Sequence, residues 1–590
     1  MVEVEAGVDI GALGTAALVP FTVRRLRTPS LIWVNLAWFA RHGVDVSDPA
    51  RRRSIDQWLL TDFAFCVHEK ENADGFTDEE RVVHADRYGC GSGSSSHGGS
   101  GRVATIGCYQ VKGVGPTPLA RGVTEEGYAH GCLWLEEAIR EAMLAEIADS
   151  EFPHGAVPII AIIASNLSVG QDGPSKQHRV LAVRPAIIRP AHFERASIFA
   201  SRGGRAEVVQ DVARTRSAIA LLRDEASRQM AGIGVSSFDE FIRRSMEQVG
   251  FGHAHRLTHG GYFSSNMGID GELHDFGSFR ALPDWASSRA TAESPPFGAE
   301  SSSLGAMLES HRFYERKFFA AADVPGGSPG RMLDVGIGEA RMAAFADALG
   351  LERSSALACE LCRLLDSEFI GQQGMQRDLE ADDQGSAASL EDDLVTAGAR
   401  IGAAGGLATE IVKAVRAGVR NADISIEEAD RAWAALLRFA RPRPFAYRSI
   451  LQGTIFRFVD AIARGDRGIA DELMCFLLSR CRRYWTGLGE FTIQGQTVTA
   501  SGSWLWLANA GGAPGLVAIE GAMVDRRLVS FGQSVDCTGN EVIQGRSGRV
   551  LALFDAPPDI HGGGEVASRC GERISLPPLE YQFLVAHFPS

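Results

Sequence analysis

A mixed α+β fold with a mostly β C-terminal region is what the sequence predicts, and three patterns carry that expectation. Short β-branched or apolar runs, Val103 to Ile106, Tyr109 to Lys112 and Pro158 to Ala164, have the length and character of strands. Residues 205–250, 300–320, most of 338–365 and 388–485 read as helical. Residues 490–590 exchange that pattern for β-branched residues and glycine turns. With 590 residues, the chain is long enough for more than one core.

Composition narrows the function classes. Hydrophobic residues make up 45% and charged residues 22%, the balance of an ordinary globular protein. The formal net charge of −14 argues against a nucleic-acid binder held by a general basic field. No run approaches the roughly 18–20 apolar residues of a membrane helix; the longest, Ala156 to Ser165, is too short. The N-terminus opens on acids, with no basic stretch before an apolar one. The expectation is a cytoplasmic protein with no nucleic-acid and no membrane partner. The cysteines stand singly apart from Cys359 and Cys362, which suits buried reduced thiols better than zinc.

In chain order, residues 1–85 read as a mixed helical segment packed on the core, with the aromatic-rich stretch Leu31 to Ala40 docking on the main body. Residues 87–101, mostly glycine and serine, read as a flexible loop. Two short strands about a turn at Gly107 follow. Next comes a helix over Leu133 to Ala148, whose apolar stripe is Leu135, Ile139, Met143 and Ile147. Pro158 to Ala164 and Arg179 to Val183 read as strands, and 251–280 as loop. Thr291 to Ser303 and Asp323 to Gly330 are the expected linkers. This gives four regions: 1–85, a core over 86–290, a helical region over 291–488, and the β region over 489–590.

The residues that could carry chemistry lie in the second region. A glycine-rich turn, Gly98 to Gly107 with Gly99, Gly101 and Arg102, lets backbone N–H groups approach phosphate oxygens, or is plain loop. Lys112 ends a strand just before the Gly113–Pro118 turn, where it can reach a phosphate or sit solvated. Glu141 lies off the apolar stripe of its helix, where solvated carboxylates belong. Arg184 and Arg189 stand in a stiff, proline-punctuated segment, as phosphate ligands or surface ion-pair partners. Further on, His259, Ser265, Asn266, Asp270 and Asp275 fall within one short segment. Asn266 and Asp275 offer an amide oxygen and a carboxylate, the hard donors that suit Mg2+ or Mn2+. His253, His255 and His259 also have a zinc-like spacing. Met332 to Glu339 mimics the glycine-rich start of a methyltransferase, without the strand series that should surround it.

Taken in order, these segments resemble the SelO family, kinase-fold proteins that transfer AMP from ATP to proteins. The resemblance rests on Gly101-Arg102, Gln110-Val-Lys-Gly-Val-Gly-Pro-Thr-Pro118, Arg140-Glu141-Ala142, His259-Gly-Gly-Tyr-Phe-Ser-Ser-Asn-Met267 and Asp275-Phe-Gly277. It spans roughly 98–280, extends weakly to about residue 30, and carries nothing beyond 290. It implies a protein-kinase-like bilobal fold, with a small β-rich N-lobe and a large helical C-lobe. It implies ATP and Mg2+ or Mn2+ as cofactors, and a protein or peptide substrate. Lys112 would contact the phosphates with Gly99, Gly101, Arg102 and Gly113, Glu141 would pair with Lys112, and Asn266 and Asp275 would hold the metal. Arg189 resembles the family's second phosphate-binding arginine; Arg184 resembles the first at a spacing two residues shorter. Ser265 stands where the family carries the aspartate that accepts the hydroxyl proton, and serine is no base near neutral pH. Three expectations follow: a slow nucleotidyltransferase, one in which His259 or Asp270 takes the proton, or a pseudokinase that binds nucleotide as a partner-binding module. A peptide maturation factor of the microcin type is a further alternative for the unmatched C-terminal half.

Overall fold

A computed structural model of the chain describes residue 4 and residues 7–89, 98–120, 130–167, 178–196, 204–223, 236–290, 294–319, 329–377 and 406–421. Scattered positions up to 465 and backbone strands between 489 and 575 are also described. Two compact units divide it, Met1–Pro442 and Arg443–Ser590.

The first unit opens with β1 (Leu18–Leu26), β2 (Ser30–Val34), α1 (Leu36–Arg41), α2 (Pro49–Phe63), β3 (Phe65–Cys66) and β4 (Phe76–Asp86). A hairpin of β5 (Val103–Ile106) and β6 (Tyr109–Lys112) follows, then α3 (Leu135–Glu151), β7 (Ala161–Ala164) and β8 (Val180–Pro185). These eight strands form one antiparallel sheet in the order β2-β7-β8-β6-β5-β4-β1-β3. Only residues 27–29 join β1 to β2, yet the two stand six places apart in the sheet. That connection reaches about 14 Å at full stretch, whereas six steps of a flat sheet cover about 29 Å. The sheet therefore curls until β2 and β1 come close.

Its concave side is filled by Val23, Leu31, Phe63, Phe65, Val111, Ile163, Leu181 and Val183, with Ile55 and Leu59 of α2 among them. Helix α2 starts cleanly because Asp48 accepts from the Ala50 N–H and Pro49 occupies the first turn. Residues 1–85 are thus not a helical segment laid on a finished core. They supply strands of the sheet itself, and β4 runs through the expected boundary. Leu31 to Ala40 splits into β2 and α1, because its alternating buried Leu31 and Trp33 have strand period.

The hairpin forms over the expected residues. Gly107 at φ +57° permits the two-residue turn. Helix α3 begins and ends two to three residues later than expected. Its four stripe residues are buried, but so are Glu141, Glu146 and Glu151. The expectation that Glu141 faces solvent fails because neighbours cover α3 well beyond its apolar stripe.

Helices make up most of the remainder: α4 (Arg205–Arg223), α5 (Phe238–His255), α6 (Ser301–Phe319), α7 (Pro329–Leu349), α8 (Ala356–Gln372) and α9 (Leu407–Arg420). Two-residue strands β9 (Leu257–Thr258), β10 (Arg280–Ala281), β11 (Ser287–Ser288) and β12 (Gln376–Arg377) tie down the connections. Met332 to Glu339 lies inside α7, so it forms no phosphate-binding loop. The expected linkers give way to helix at Ser301 and Pro329. Residues 90–97, 291–293, 323–328 and 388–405, on which parts of the expected loops, linkers and helices fall, lie outside the described residues.

The second unit carries the expected β character. β13 (Gly489–Ile493) to β16 (Pro514–Ala518) form one antiparallel meander, with β14 (Gln496–Ser501) and β15 (Trp504–Ala508) inside it. β17 (Gly521–Val524), β18 (Arg527–Ser530), β19 (Glu541–Gly545) and β20 (Val550–Phe554) form a second. β21 (Asp559–His561), β22 (Glu565–Ala567) and β23 (Arg573–Ser575) form a third. The division between units falls at 442/443 rather than at 290 or 488. Among the described residues, no helix is long and apolar enough to cross a membrane.

Candidate active site

Strand register sets the floor of the site. Gln110 and Lys112 are two apart on β6, and Arg184 of β8 pairs with Gln110, so all three share one face. Val111 and Val183 pair on the opposite face, inside the core. Ala182 stands opposite Lys112 and leaves room for its side chain. Helix α3 covers this face and brings Glu141 to it. Lys112 Nζ donates to Glu141 Oε2 at 2.6 Å, and Arg184 Nη1 donates to Glu141 Oε1 at 3.0 Å. One carboxylate therefore holds two cations, with all three side chains at most 5% exposed. Glu137, one turn earlier, receives Arg102 Nη2 at 2.6 Å and lies 3.6 Å from Lys112 Nζ.

The second wall comes from residues 257–281. Pairing of β9 with β10 staples the base of this segment. Within it, the Met267–Leu273 bridge makes a tight hairpin, and the His274 N–H donates to the Asn266 carbonyl at 2.9 Å. That hairpin sets Asn266 and Asp275 on neighbouring arms. Leu273 also hydrogen-bonds with Gly155 and Val157, just past α3, which brings Asp275 to the lysine. Asp275 Oδ1 lies 3.9 Å from Lys112 Nζ, and 46% of the side chain is open. The Lys112 charge, helped by Arg102 and Arg184, holds its carboxyl well below the usual range against the effect of burial. Its backbone is left-handed, φ +64°, which aspartate tolerates better than most residues.

Arg189 enters from the other side. It donates to the Ser265 carbonyl at 2.8 Å and to Gln110 Oε1 at 3.1 Å, with its guanidinium over the Tyr88 ring. Behind it, Gln110 and Ser100 donate to the buried Asp86. His192 Nδ1 accepts from the Arg189 N–H, so its Nε2 carries the proton and faces Asp86 Oδ2 at 3.4 Å. Burial pushes the Asp86 carboxyl up, but these hydrogen bonds and the Arg189 charge outweigh it, and the net shift is downward.

Lys112, Glu141, Arg102, Arg184 and Asp275 thus come together, and the 264–266 loop reaches them through Arg189. The glycines serve the backbone. Gly99 has φ +141° and packs against the Asp86 carbonyl, where a Cβ would collide. Gly113 has φ +96°, and a Cβ there would stand 2.6 Å from the Val180 carbonyl. The Gly101 carbonyl accepts from Thr117 N–H.

Two expected catalytic groups are engaged with the backbone. His259 donates from Nε2 to the His274 carbonyl at 3.0 Å, and burial lowers its pKa to about 4. It pins the hairpin as a neutral ring. Asp270 accepts from the Ser236 N–H at 2.8 Å and faces Arg244 of α5. The zinc-like histidines also part: His253 pairs with Glu300 at 2.7 Å, and His255 stacks on Phe251. Among the described residues, no group of three or more His, Cys, Asp or Glu side chains is placed to hold a metal ion. Ser265 Oγ donates to Asn266 Oδ1 at 3.1 Å. Asn266 and Asp275 alone suit a hard cation that takes its remaining ligands from phosphate and water.

Sequence reasoning missed Tyr88, Asp86, Gln110, Glu137 and His192. Gln110 could have been found from its two-residue offset from Lys112; the rest need the three-dimensional pairing. No protein-family model matches the chain, and no curated protein matches it.

Proposed function

We propose that this chain is an ATP- and divalent-metal-dependent nucleotidyltransferase of SelO-like, kinase-like construction, moving AMP onto a protein or peptide hydroxyl. The observation that carries the reading is the buried Lys112–Glu141 pair with the partly open Asp275 carboxylate alongside. A strand lysine fixed by a helix glutamate, next to a carboxylate on a separate loop, is how kinase-type sites handle nucleotide phosphates and their metal. The curled antiparallel sheet and the helices after it would be the two lobes.

In this reading Lys112 and Arg189 bind and orient phosphate oxygens, and Asn266 and Asp275 hold the metal. The metal, when bound, neutralises charge on the phosphates. The acceptor hydroxyl oxygen bonds to the α-phosphorus, its proton passes to water, the bond to the β-phosphate bridge breaks, and pyrophosphate leaves. Protein labelling from α-labelled but not γ-labelled ATP is the expected result. Lys112→Ala and Asp275→Ala each abolish it; unchanged labelling in both variants refutes this site.

A second reading rests on Ser265. Its hydroxyl donates to Asn266, and no carboxylate occupies that position. A nucleotide-binding pseudokinase, or a peptide maturation factor using bound nucleotide, would then show thermal stabilisation by ATP with Mg2+ and no covalent product.

A further inference from the structure

Both readings of the site call for a protein or peptide partner, and one surface outside the site has the chemistry to receive it. Helix α4 buries one side and exposes the other. The exposed stripe reads Arg205, Val209, Ala213, Arg216, Ala220 and Arg223, at the three- and four-residue steps of one helix face. No acid stands on that stripe. Helix α6 packs alongside and ends on Arg312-Phe-Tyr-Glu-Arg-Lys-Phe-Phe319. Glu315 is the one carboxylate in that run, and Arg223 Nε meets it at 3.1 Å. Glu225 and Glu309 flank the surface in sequence.

Aromatic rings hold the cations here. The Phe319 ring lies 4.7 Å from the Arg223 guanidinium and 6.0 Å from that of Arg216. Lys317 Nζ stands 5.4 Å from the Phe313 ring, and Tyr314 stacks on Phe318. Cations placed over rings lose less freedom when they take a carboxylate. Apolar surface is open beside them: Phe313 is 50% exposed and Val209 is 60% exposed. Arginine and aromatic side chains together are the residues that anchor protein partners.

We propose that this face of α4 and the end of α6 dock a short acidic segment of a partner protein, one that also carries apolar side chains. The charge of the whole chain, −14, makes the choice of partner. A nucleic acid or an anionic membrane spreads its charge over many screening lengths, about 8 Å each at physiological salt, and meets the negative field of the whole protein. A short acidic segment meets only the local cations. The surface also backs onto the site. Phe193 meets the His311 ring of α6 edge-on at 6.4 Å, and Tyr314 hydrogen-bonds the Arg195 backbone. Residues 190–195 in turn reach the loop of Ser265 and Asn266, where the Ala191 N–H donates to the Ser264 carbonyl at 3.0 Å. A partner seated on α4 and α6 is thereby held beside that loop.

The test titrates the full chain into a short fluorescein-labelled peptide of glutamates interspersed with phenylalanine and follows its anisotropy. Binding saturates and weakens as salt is raised. Arg216→Glu with Lys317→Glu weakens it by about tenfold or more, and Arg216→Gln with Lys317→Gln weakens it less. Phe313→Ala weakens it by about threefold or more. Arg51→Glu with Arg53→Glu makes the same charge change on the exposed start of α2 and alters binding by less than about twofold. Thermal unfolding checks that each variant is folded. Equal losses in the α2 and α4–α6 variants show that net charge alone acts, and overturn the proposal. So does an unaltered chain that leaves the peptide free. Phosphatidylserine vesicles or a single-stranded oligonucleotide bound more tightly than the peptide, with the same dependence on Arg216 and Lys317, overturn it in favour of a polyanion. Binding is read without nucleotide, so it stands or falls apart from the transfer reading.

Discussion

Glu141 divides one carboxylate between Lys112 and Arg184 in a place that water hardly reaches. Removing it takes the hydrogen-bonded carboxylate from buried Arg184 and leaves Lys112 only the longer contacts to Glu137 and Asp275. Glu141→Ala should therefore cost about 3–5 kcal/mol of stability by urea unfolding and also abolish the nucleotide-dependent shift. A loss below about 1 kcal/mol would show that the pair is not buried in solution. Glu272, on the hairpin between Asn266 and Asp275, has a different electrostatic consequence. Burial, then the neighbouring Asp270 charge, push its carboxyl up to about 7. The folded state thus favours the protonated form. Its contribution is full below the ordinary glutamate range, declines as pH rises toward 7, and stays lost above that. Glu272→Gln should match the parent near pH 4.5 and exceed it by about 2–3 kcal/mol at pH 8. A difference that is flat across that interval would contradict the shifted carboxyl.

The elements that hold these residues are sensitive at specific joints. At the end of β6, Gly113 has a left-handed backbone and no space for a Cβ beside the Val180 carbonyl. Gly113→Ala should destabilise by about 1–3 kcal/mol and weaken nucleotide binding, because it displaces the neighbouring lysine. Helix α3 is fixed at another joint. Asn35 caps α1 through the Trp38 N–H and donates to the buried Glu146 and to the Ile159 carbonyl. Asn35→Ala should cost about 1–3 kcal/mol by leaving Glu146 without that donor, measured by thermal or urea unfolding. The β5–β6 hairpin was legible in the sequence because its turn glycine and its alternation are local signals. The surroundings of Glu141 were not. Periodicity assumes one wet helix face, and α3 buries Glu141, Glu146 and Glu151 along with its stripe. Asp86 and His192 gain their places only from strand pairing and loop docking between distant segments. Asn266 and Asp275 were found as a motif, but the hairpin that makes them neighbours could only be seen in the fold.

At the scale of the molecule, all the site groups lie in Met1–Pro442, and the meanders lie in Arg443–Ser590. A chain ending at residue 442 should retain the thermal shift with ATP and Mg2+. Loss of that shift, with unfolding still cooperative, would mean that the second unit completes the site. The curled sheet has one more consequence, for how the protein is made. Ser30 of β2 pairs with Ala164 of β7, over a hundred positions later, while β1 waits only for β4. During synthesis, β2 leaves the ribosome long before its partner exists. Closing that seam carries the largest chain-ordering cost in the sheet. Until it closes, the apolar Leu31-Ile-Trp-Val edge is open to other nascent chains, so it is there that a holdase chaperone would have work to do.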